Sequence, residues 1–580
     1  MRPARLFLLR EARLCCTEDI MAEKIPATQY AVELTGPDKL GINSQKKIYQ
    51  PGPFGILAKV EAVGLCFSDL KLLKQFDTHA RKSEIISGTS NDVLSEISSY
   101  KPDKQPTVPG HETCCVIAAV GEKVKHHYVG QRVLVQADYR WLKTANSNAA
   151  FGYNFEGALQ QYVLFDERVI IEPQSGESFL IGVDAELSAS AAALIEPWAC
   201  VEGSYITQER NCIMQAGKLL VVADNGYEIC GLRESFSGQG GPSSISAVCA
   251  ETLQYDEIKR LRIETKQIYS LNDVPDERFD DIIYFGSQKN VIEMLDDKLA
   301  ANGIINIVLA GKRISDEVSV GIGKIHYGNT RWVGTPGKSA ILSYKNIPQT
   351  GEIRDGEKIN VIGAAGPMGQ MHIVRLVCSG RKNISITAAD VDNARLAVLE
   401  EKIKKITQKN PVDLRFVNPE KSPQSGQFSY FTIMAPIPVL VAQSVKNSMT
   451  GALINIFAGI PVNVKQEIDL NLYIENRCYM FGTSGSTLED MKVVLKKVVA
   501  WQLDTNLSVD AVSGMAGAVD GIRAVEKRSV MGKIIIYPKL IGMPLIPLVD
   551  IQKYYPTVAS KLNGGLWTKD AEEELLKVAV

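Results

Sequence analysis

Residues 358–390 read KINVIGAAGPMGQMHIVRLVCSGRKNISITAAD, and this stretch decides the fold. A β-rich run at residues 359–362 leads into a loop, and apolar residues at helical spacing follow at 371–377. The loop carries three glycines: Gly363, Gly366 and Gly369. The pattern predicts a strand, a tight turn and a helix in an α/β domain.

Glycines at such a turn let the chain reverse sharply, approach a pyrophosphate closely and pack the helix against the strand. The start of the helix offers free N–H groups to phosphate oxygens. A second β-rich run, residues 384–388, ends near Asp390, where an acidic residue meets the adenosine ribose of NAD. We therefore predict a dinucleotide site that favours NAD over NADP. The alternative is a plain turn in an unrelated α/β domain, since GAAGPMG carries one residue more than G-x-G-x-x-G.

Length and composition describe an ordinary globular protein of several domains. The 580 residues are too many for one core, so we expect three or four modules. A net charge of −2 without a long basic run argues against nucleic acid and anionic membranes as partners. The eleven scattered cysteines favour a reducing compartment over a secreted disulfide framework.

The first residues give no clear targeting signal. The apolar patch at residues 6–9 is too short for a secretory core, and Glu11, Glu18 and Asp19 are untypical of a transit peptide. We expect residues 1–29 to be a disordered extension, translated from a start upstream of Met21. No apolar run is long enough to span a bilayer, and we expect a soluble, cytoplasmic protein.

Short β-branched runs with glycine turns predict a compact, barrel-like β module from about residue 30 to 205. It contains four side chains that can bind a metal: Cys66, His111, Glu112 and Glu196. A thiolate, an imidazole and carboxylates make a plausible zinc site with an open position. Each of these residues taken alone is more typical of a core or a surface position.

The order of the motifs resembles the zinc-dependent medium-chain dehydrogenases, most closely the branch of sorbitol and threonine dehydrogenases with the sugar-phosphate reductases beside it. The resemblance rests on GLCFSD (64–69), PGHE (109–112), VGQRV (129–133), GALQQY (157–162) and Glu196-Pro197. It implies a GroES-like β-rich catalytic domain and a Rossmann-like doubly wound domain, and it covers nearly all of the chain after residue 29.

The resemblance also implies roles for individual residues. Cys66 and His111 would bind one catalytic zinc ion, with Glu112 and Glu196 sharing the remaining places with water and substrate. Ser68 would pass the alcohol proton outward, and Asp69 would orient the ligand histidine. Zinc would favour ionisation of the alcohol, and nicotinamide would accept the hydride.

Three features depart from the family pattern. Lys71 stands where many relatives carry a relay histidine, so the proton would leave differently or through water. No cysteine quartet lies between His111 and Glu196, so a structural zinc is not expected. A polar insertion at residues 79–105 is longer than usual; it covers the substrate cleft in one interpretation and is a tolerated surface loop in the other.

Residues 206–343 resemble a degenerate copy of residues 344–500. Gly311 and Gly459 are 148 positions apart, as are Thr335 and Thr483, in closely similar segments. We interpret this as a tandem duplication of a Rossmann-like domain. The first copy lacks a compact glycine fingerprint after Val222, so we assign it a structural or assembly role, with binding of another nucleotide or a sugar phosphate as the alternative.

The second copy should bind NAD through six residues: Gly363, Gly366, Met368, Gly369, Asp390 and Arg395. Residues 501–580 should return a helix and a strand to the catalytic domain and end in a tail. The function predicted is zinc- and NAD-dependent oxidation of a secondary alcohol on a polyol, sugar, sugar phosphate or amino-alcohol, by a homo-oligomer (dimer or tetramer). The alternatives are an NADPH-linked ketose-phosphate reductase and a non-catalytic NAD-binding regulatory protein.

Overall fold

The computed structural model describes residues 25–407, 411–422 and 426–579. Of the predicted disordered extension, residues 1–24 lie outside the described residues, and the first strand already begins at Thr28. None of the helices in these described ranges combines the length and the apolar character needed to cross a bilayer.

The N-terminal part of the chain is mostly β-structure, as predicted. Its strands are β1 (Thr28–Gly36), β2 (Lys39–Lys47), β3 (Gly55–Gly64), β4 (Ile85–Ser87), β5 (Glu112–Val120), β6 (Arg132–Val135), β7 (Asp138–Thr144), β8 (Asn148–Ala150), β9 (Tyr162–Asp166) and β10 (Leu180–Gly182). Its helices are α1 (Phe67–Lys74), α2 (Asn91–Glu96), α3 (Glu167–Ile170), α4 (Ala189–Ala193) and α5 (Ile195–Ile206).

The next part forms a six-stranded parallel sheet. Its strands are β11 (Lys218–Ala223), β12 (Ser244–Cys249), β13 (Thr265–Ile268), β14 (Phe279–Phe285), β15 (Leu299–Val308) and β17 (Arg331–Thr335), with a short strand β16 (Val318–Val320) outside the sheet. The helices are α6 (Thr252–Lys259), α7 (Lys289–Asp296), α8 (Ile322–Tyr327) and α9 (Ile341–Tyr344). The strand order is β13-β12-β11-β14-β15-β17. We call it the first sheet.

A second six-stranded parallel sheet follows. Its strands are β18 (Lys358–Ile362), β19 (Ser385–Ala389), β20 (Asp413–Val417), β21 (Phe428–Ile433), β22 (Ser448–Ile456) and β24 (Tyr479–Phe481), with β23 (Gln466–Ile468) outside the sheet. The helices are α10 (Pro367–Cys378), α11 (Asn393–Thr407), α12 (Pro438–Lys446) and α13 (Leu470–Glu475). The order β20-β19-β18-β21-β22-β24 repeats that of the first sheet, and it is the order of a dinucleotide-binding fold. We call it the second sheet.

Both sheets have near-continuous apolar strands, such as KLLVVA in β11, because parallel strands are covered on both faces. The predicted α/β class, a β-rich domain with two doubly wound parallel sheets, is confirmed. Common descent of the two sheets by duplication stays a prediction.

The two sheets are joined to each other. Strands β16 and β23 pair antiparallel, with Val318 opposite Ile468 and Val320 opposite Gln466. The edge strands β17 and β24 lie side by side. One buried apolar cluster contains residues of both sheets, among them Trp332 and Tyr473. The first sheet is therefore packed against the edge of the second rather than separated by a linker.

The C-terminal part returns to the β-rich module. Its elements are α14 (Leu488–Val499), β25 (Val509–Ser513), α15 (Ala518–Lys527), β26 (Lys533–Ile536), β27 (Ile546–Pro547), α16 (Ile551–Tyr554), α17 (Pro556–Ala559) and α18 (Lys569–Val578). Strand β26 pairs with β3 in an eight-stranded sheet ordered β10-β6-β5-β3-β26-β25-β27, with β9 also on β3. Glu572 of α18 accepts hydrogen bonds from the backbone N–H groups of Ala189 and Ser190, so the tail packs on α4.

Candidate active site

Three of the predicted metal ligands meet at the end of two neighbouring strands. Cys66 lies between β3 and α1, while His111 and Glu112 stand at the start of β5. Strands β3 and β5 are paired with Gly64 opposite Glu112. The ligand atoms of Cys66, His111 and Glu112 all lie within 4.8 Å of one another. Sheet pairing thus brings together residues that are 45 or more positions apart in sequence.

Asp69 fixes the orientation of this cluster. Its Oδ1 lies 3.1 Å from Nδ1 of His111 and accepts a bond from the N–H of Gly110, and its Oδ2 accepts a bond from the N–H of Cys66. The carboxylate therefore holds a proton on Nδ1 and leaves Nε2 of His111 free as a ligand atom. Burial alone would lower the pKa of His111, but attraction to Asp69, together with smaller contributions from Tyr153 and Cys66, raises it.

Glu112 has one paired and one unpaired oxygen. Its Oε1 accepts a hydrogen bond from Nζ of Lys533, which begins strand β26. Its Oε2 is buried and has no hydrogen-bond partner among the residues that the structure describes. A Cβ atom at Gly64 would clash with this oxygen, so the glycine makes room for it. Burial alone would lower the pKa of Lys533, but the charge and hydrogen bond of Glu112, with contributions from Cys66 and Glu196, together raise it.

These observations fit a zinc ion. Buried polar atoms normally have a partner, and an unpartnered carboxylate oxygen beside a cysteine and a free imidazole nitrogen is a donor set that zinc prefers. Cys66, His111 and Glu112 would be the protein ligands.

Glu196, the fourth predicted ligand, lies in the first turn of α5 and outside the 4.8 Å cluster. Burial raises the pKa of its carboxyl group to about 7; His111 acts against this shift and Glu112 reinforces it. Its Oε1 accepts a weak contact from Sγ of Cys200 at 3.7 Å. Glu196 is thus near the cluster electrostatically but is not grouped with it.

The remaining predicted catalytic residues stand on α1. Ser68 is half-buried in the first turn of this helix. Lys71, one turn further, donates a hydrogen bond of 3.3 Å to Oη of Tyr327, which belongs to α8 of the first sheet. Lys71 therefore lies where the β-rich module meets the first sheet.

The predicted phosphate turn has the expected geometry. Gly363 has φ +83°, which favours glycine. A Cβ at Gly369 would clash with the carbonyl oxygens of Gly363 and Ala364, so helix and loop pack closely. Helix α10 is capped at Gly366 and has Pro367 in its first position, so its free N–H groups begin directly at the loop.

The three other predicted cofactor residues surround this turn. Oδ2 of Asp390, directly after β19, accepts a hydrogen bond of 3.0 Å from the N–H of Ala365. Arg395 donates a bond to the carbonyl of Ala365, and its Nε is buried without a partner in the described part of the chain. Met368 is half-buried in the first turn of α10.

In the first sheet a side chain lies in the equivalent crevice. Tyr227 follows β11 and is buried, and its hydroxyl lies 3.1 Å from Oγ of Ser287, which follows β14. These are the two central strands, at the point where doubly wound sheets bind ligands. Between β11 and β12, all of which the structure describes, there is no counterpart of α10, only a 3₁₀ turn at Arg233–Ser235. The assignment of the cofactor to the second sheet remains a prediction.

Helix α1, which follows Cys66, lies beside the carboxyl edge of the second sheet. A Cβ placed on Gly459, after β22, would lie 3.3 Å from Nζ of Lys71. Arg140 of β7 donates hydrogen bonds to the carbonyls of Ser484 and Ser486, after β24. The carboxyl ends of parallel strands share one edge, so the turn after β18 lies at the same edge of the sheet as Gly459.

Several residues near the site were not predicted from the sequence. Rings of His79, Tyr153 and His111 follow one another with centroid distances of 5.0 and 5.9 Å. Arg81 forms an ion pair of 2.7 Å with Asp138. His79 and Arg81 begin the insertion at 79–105, so its first residues border the site. Lys533 could have been noticed from the sequence, because it directly precedes the apolar run IIIY at residues 534–537. His79 and Arg81 lie in a polar loop, and no sequence pattern marks them.

Comparisons with known proteins agree with this geometry. The family description "Alcohol dehydrogenase GroES-like domain" matches residues 52–174. The chain is 24% identical over 297 residues to the uncharacterized protein YggP of Escherichia coli and 23% identical over 298 residues to the mannitol-1-phosphate 5-dehydrogenase of Aliivibrio fischeri, each covering 45% of this chain and 67% of the relative. It is 24% identical over 312 residues to the L-sorbose 1-phosphate reductase of Klebsiella pneumoniae, covering 49% of this chain and 69% of the relative.

The matched domain holds Cys66, His111 and Glu112, and the sheet after it has the strand order of a dinucleotide-binding fold. The chain thus contains an alcohol dehydrogenase GroES-like domain followed by sheets of dinucleotide-binding strand order, an arrangement similar to that of the medium-chain dehydrogenases and reductases.

Proposed function

We propose that the protein is a zinc-dependent oxidoreductase that transfers hydride between NAD and a secondary alcohol of a polyol or sugar-type substrate. The observation that carries this proposal is the cluster of Cys66, His111 and Glu112, followed by helix α1, whose Lys71 lies beside Gly459 at the carboxyl edge of the second sheet. A substrate in the cleft between them would touch both the metal ligands and the cofactor. The two sugar-phosphate relatives support the class of substrate.

The chain's own residues prepare the metal site and the proton path. When bound, zinc supplies Lewis acidity at the substrate oxygen and nicotinamide accepts the hydride. Asp69 holds His111 in the tautomer that offers Nε2. The half-buried hydroxyl of Ser68 takes the proton of the alcohol. An ammonium group has no lone pair that could accept a proton, so Lys71 does not relay the proton released through Ser68. That proton passes to water instead.

The cofactor preference rests on Asp390. Its carboxylate is fixed at the phosphate turn by the N–H of Ala365 and stands at the end of β19, where the adenosine ribose of a bound dinucleotide is read. A negative charge there accepts bonds from ribose hydroxyls and repels a 2′-phosphate, so we propose NAD rather than NADP. The guanidinium of Arg395 lies beside the turn, and its Nε–H, which has no partner among the described residues, would bond to the adenosine moiety.

The test is an activity panel with the full-length protein. Polyols and their phosphates are offered with NAD⁺ or NADP⁺, and formation of reduced cofactor is followed by absorbance. We expect turnover of at least one polyol-type alcohol with NAD⁺, its loss in Cys66→Ala, and an increase of about tenfold or more in the KM for NAD⁺ in Asp390→Ser, from one lost charge-assisted hydrogen bond. Failure of every alcohol with both nucleotides, combined with normal NAD binding, would instead support a non-catalytic NAD-binding protein.

A further inference from the structure

Lys71 is a half-buried cation that lacks a carboxylate partner. In residues 25–407, 411–422 and 426–579, no carboxylate oxygen lies within ion-pair distance of its Nζ, which donates instead to the phenol oxygen of Tyr327. Lys74, one turn along the same helix, is by contrast paired with Asp38 and Glu526. Lys71 is therefore suited to receive an anion from outside the chain.

The first sheet fixes Tyr327 in this position. Nδ1 of His326 lies 3.1 Å from the carbonyl oxygen of Ile456, the last residue of β22. The ring of Tyr327 packs edge-on against that of His326, with centroids 4.7 Å apart and planes at 89°. A Cβ at Gly459 would lie 2.6 Å from Oη of Tyr327. Helix α8 of the first sheet thus forms a wall of the cleft at the carboxyl edge of the second sheet.

The imidazoles around Lys71 add no charge at neutral pH. Burial, with smaller contributions from Arg81 and Lys71, lowers the pKa of His79 to about 4. Burial, with a contribution from Lys71, also lowers the pKa of His326 to about 4. The ammonium of Lys71 is then the charge that an incoming group meets between α1 and α8.

We propose that Lys71 and Tyr327 form the subsite for the phosphate group of a phosphorylated polyol or ketose. The ammonium has three N–H donors, of which one is used by Tyr327. The phenol accepts that bond and keeps its own O–H to donate to a second phosphate oxygen. The first sheet, whose own crevice holds Tyr227, is thereby a specificity-determining part of the cleft in the same chain. This inference rests on the proposed function and narrows its substrate class.

The first experiment measures a specificity ratio in the full-length enzyme. The ratio is kcat/KM for a polyol phosphate divided by kcat/KM for the same unphosphorylated polyol, for example mannitol 1-phosphate and mannitol. We expect the ratio to exceed one in the wild type and to fall about 10–100-fold in Lys71→Met, as for loss of a charge-assisted bond. In Tyr327→Phe it should fall about 3–10-fold, as for a neutral bond. Any loss common to both substrates cancels in the ratio.

Lys74→Met is the matched control on the same helix and should leave the ratio unchanged. Two outcomes overturn the phosphate subsite. One is an equal loss for both substrates in Lys71→Met. The other is weaker NADH binding in that variant with an unchanged ratio, which would mean that Lys71 contacts the cofactor.

A second experiment does not depend on activity. Binding of inorganic phosphate to the full-length protein is measured by calorimetry, and we expect its affinity to fall at least tenfold in Lys71→Met and not in Lys74→Met. If no alcohol is turned over but this difference in phosphate binding is found, the proposed function fails and the subsite stands. Equal phosphate binding by the wild type and Lys71→Met would overturn the subsite even in an active enzyme.

Discussion

The two oxygens of Glu112 have different surroundings, and this difference decides what the residue does. Oε1 is paired with the buried ammonium of Lys533, while Oε2 is buried without a partner in the described part of the chain. The lysine compensates the charge that burial of the carboxylate would otherwise leave unpaired. Oε2 is then free to bind a metal without a large cost in stability.

Lys533→Met tests this compensation. Removing one partner of a buried ion pair leaves an uncompensated charge, so we expect unfolding of the β-rich module to require about 3–5 kcal/mol less free energy. Scanning calorimetry of metal-free protein measures the change. The control is Lys218→Met, which removes an exposed pair with Glu277 and should leave the free energy of unfolding nearly unchanged. A change in Lys533→Met as small as in the control would show that the pair does not stabilise the module.

The sequence predicted the site residues that belong to short motifs, but not their contact partners far away in the sequence. Cys66, His111, Glu112 and Asp69 belong to short motifs, and the structure brings them together. Lys533 is 421 residues from Glu112, and Tyr327 is 256 residues from Lys71. Contacts between such distant positions follow from strand pairing and domain packing, which local patterns do not specify.

The insertion at residues 79–105 is an element with two environments. Its first residues border the metal cluster through His79 and Tyr153. Further on it forms β4, which pairs with β7, and helix α2. The side chain of Lys82 is fully buried between these parts and donates to the backbone carbonyls of Lys101 and Gln105. The insertion is therefore packed into the module and not a loose surface loop.

Lys82 should give the protein a pH-dependent stability. Burial, in the first place, lowers its pKa from 10.5 to about 7. Below pH 7 both the folded and the unfolded chain carry the proton, and the full cost of the buried charge is present. Between pH 7 and 10.5 the unfolded chain binds more protons, so stability from this residue rises with pH by up to about 1.4 kcal/mol per unit.

The measurement compares thermal unfolding of the wild type and Lys82→Met from pH 7 to pH 9.5. We expect the stability of the wild type relative to the variant to increase steadily over this range. A difference that stays constant with pH would show that Lys82 keeps an ordinary pKa in the folded protein.

The phosphate turn shows how well secondary-structure elements could be predicted from the sequence. Strand, glycine loop and helix were predicted in the right order, because apolar periodicity and glycine spacing are local. The helix was predicted from residue 371 but begins at Pro367. Periodicity starts at the first buried apolar residue, whereas the helix starts at its cap, Gly366, with proline in the first turn.

In the whole molecule, the contact between the two sheets positions the residues that the first sheet contributes to the cleft. Tyr473 of α13 connects the two edge strands: its hydroxyl donates a bond of 2.8 Å to the carbonyl of Trp332 in β17 and accepts one of 3.0 Å from the N–H of Met480 in β24. This contact, with the pairing of β16 and β23, holds α8 and Tyr327 at the cleft.

Tyr473→Phe should weaken this connection. The buried carbonyl of Trp332 and the N–H of Met480 lose a shared partner, which costs about 1–3 kcal/mol. Thermal unfolding of the full-length protein measures the loss, and Tyr128→Phe, at an exposed tyrosine, serves as the control. An unchanged unfolding transition in Tyr473→Phe would mean that this hydroxyl does not join the sheets.

The repeat of similar segments at constant spacing predicted two sheets of one type, and both have the same strand order. That the first sheet borders the cleft was not predictable, because no motif marks residues 318–327, and their contacts with the second sheet depend on strands 148 residues further on. The number of copies that assemble also stays a prediction.

The central claim is that Cys66, His111 and Glu112 hold a zinc ion at the cleft. Metal analysis of the full-length protein, purified without chelators, tests it most directly, beside the variant Cys66→Ala. We predict about one zinc per chain in the wild type and almost none in the variant. A wild-type protein that oxidises its alcohol without bound metal would show that the reaction needs no zinc. A variant that keeps its zinc would show that Cys66 does not bind it.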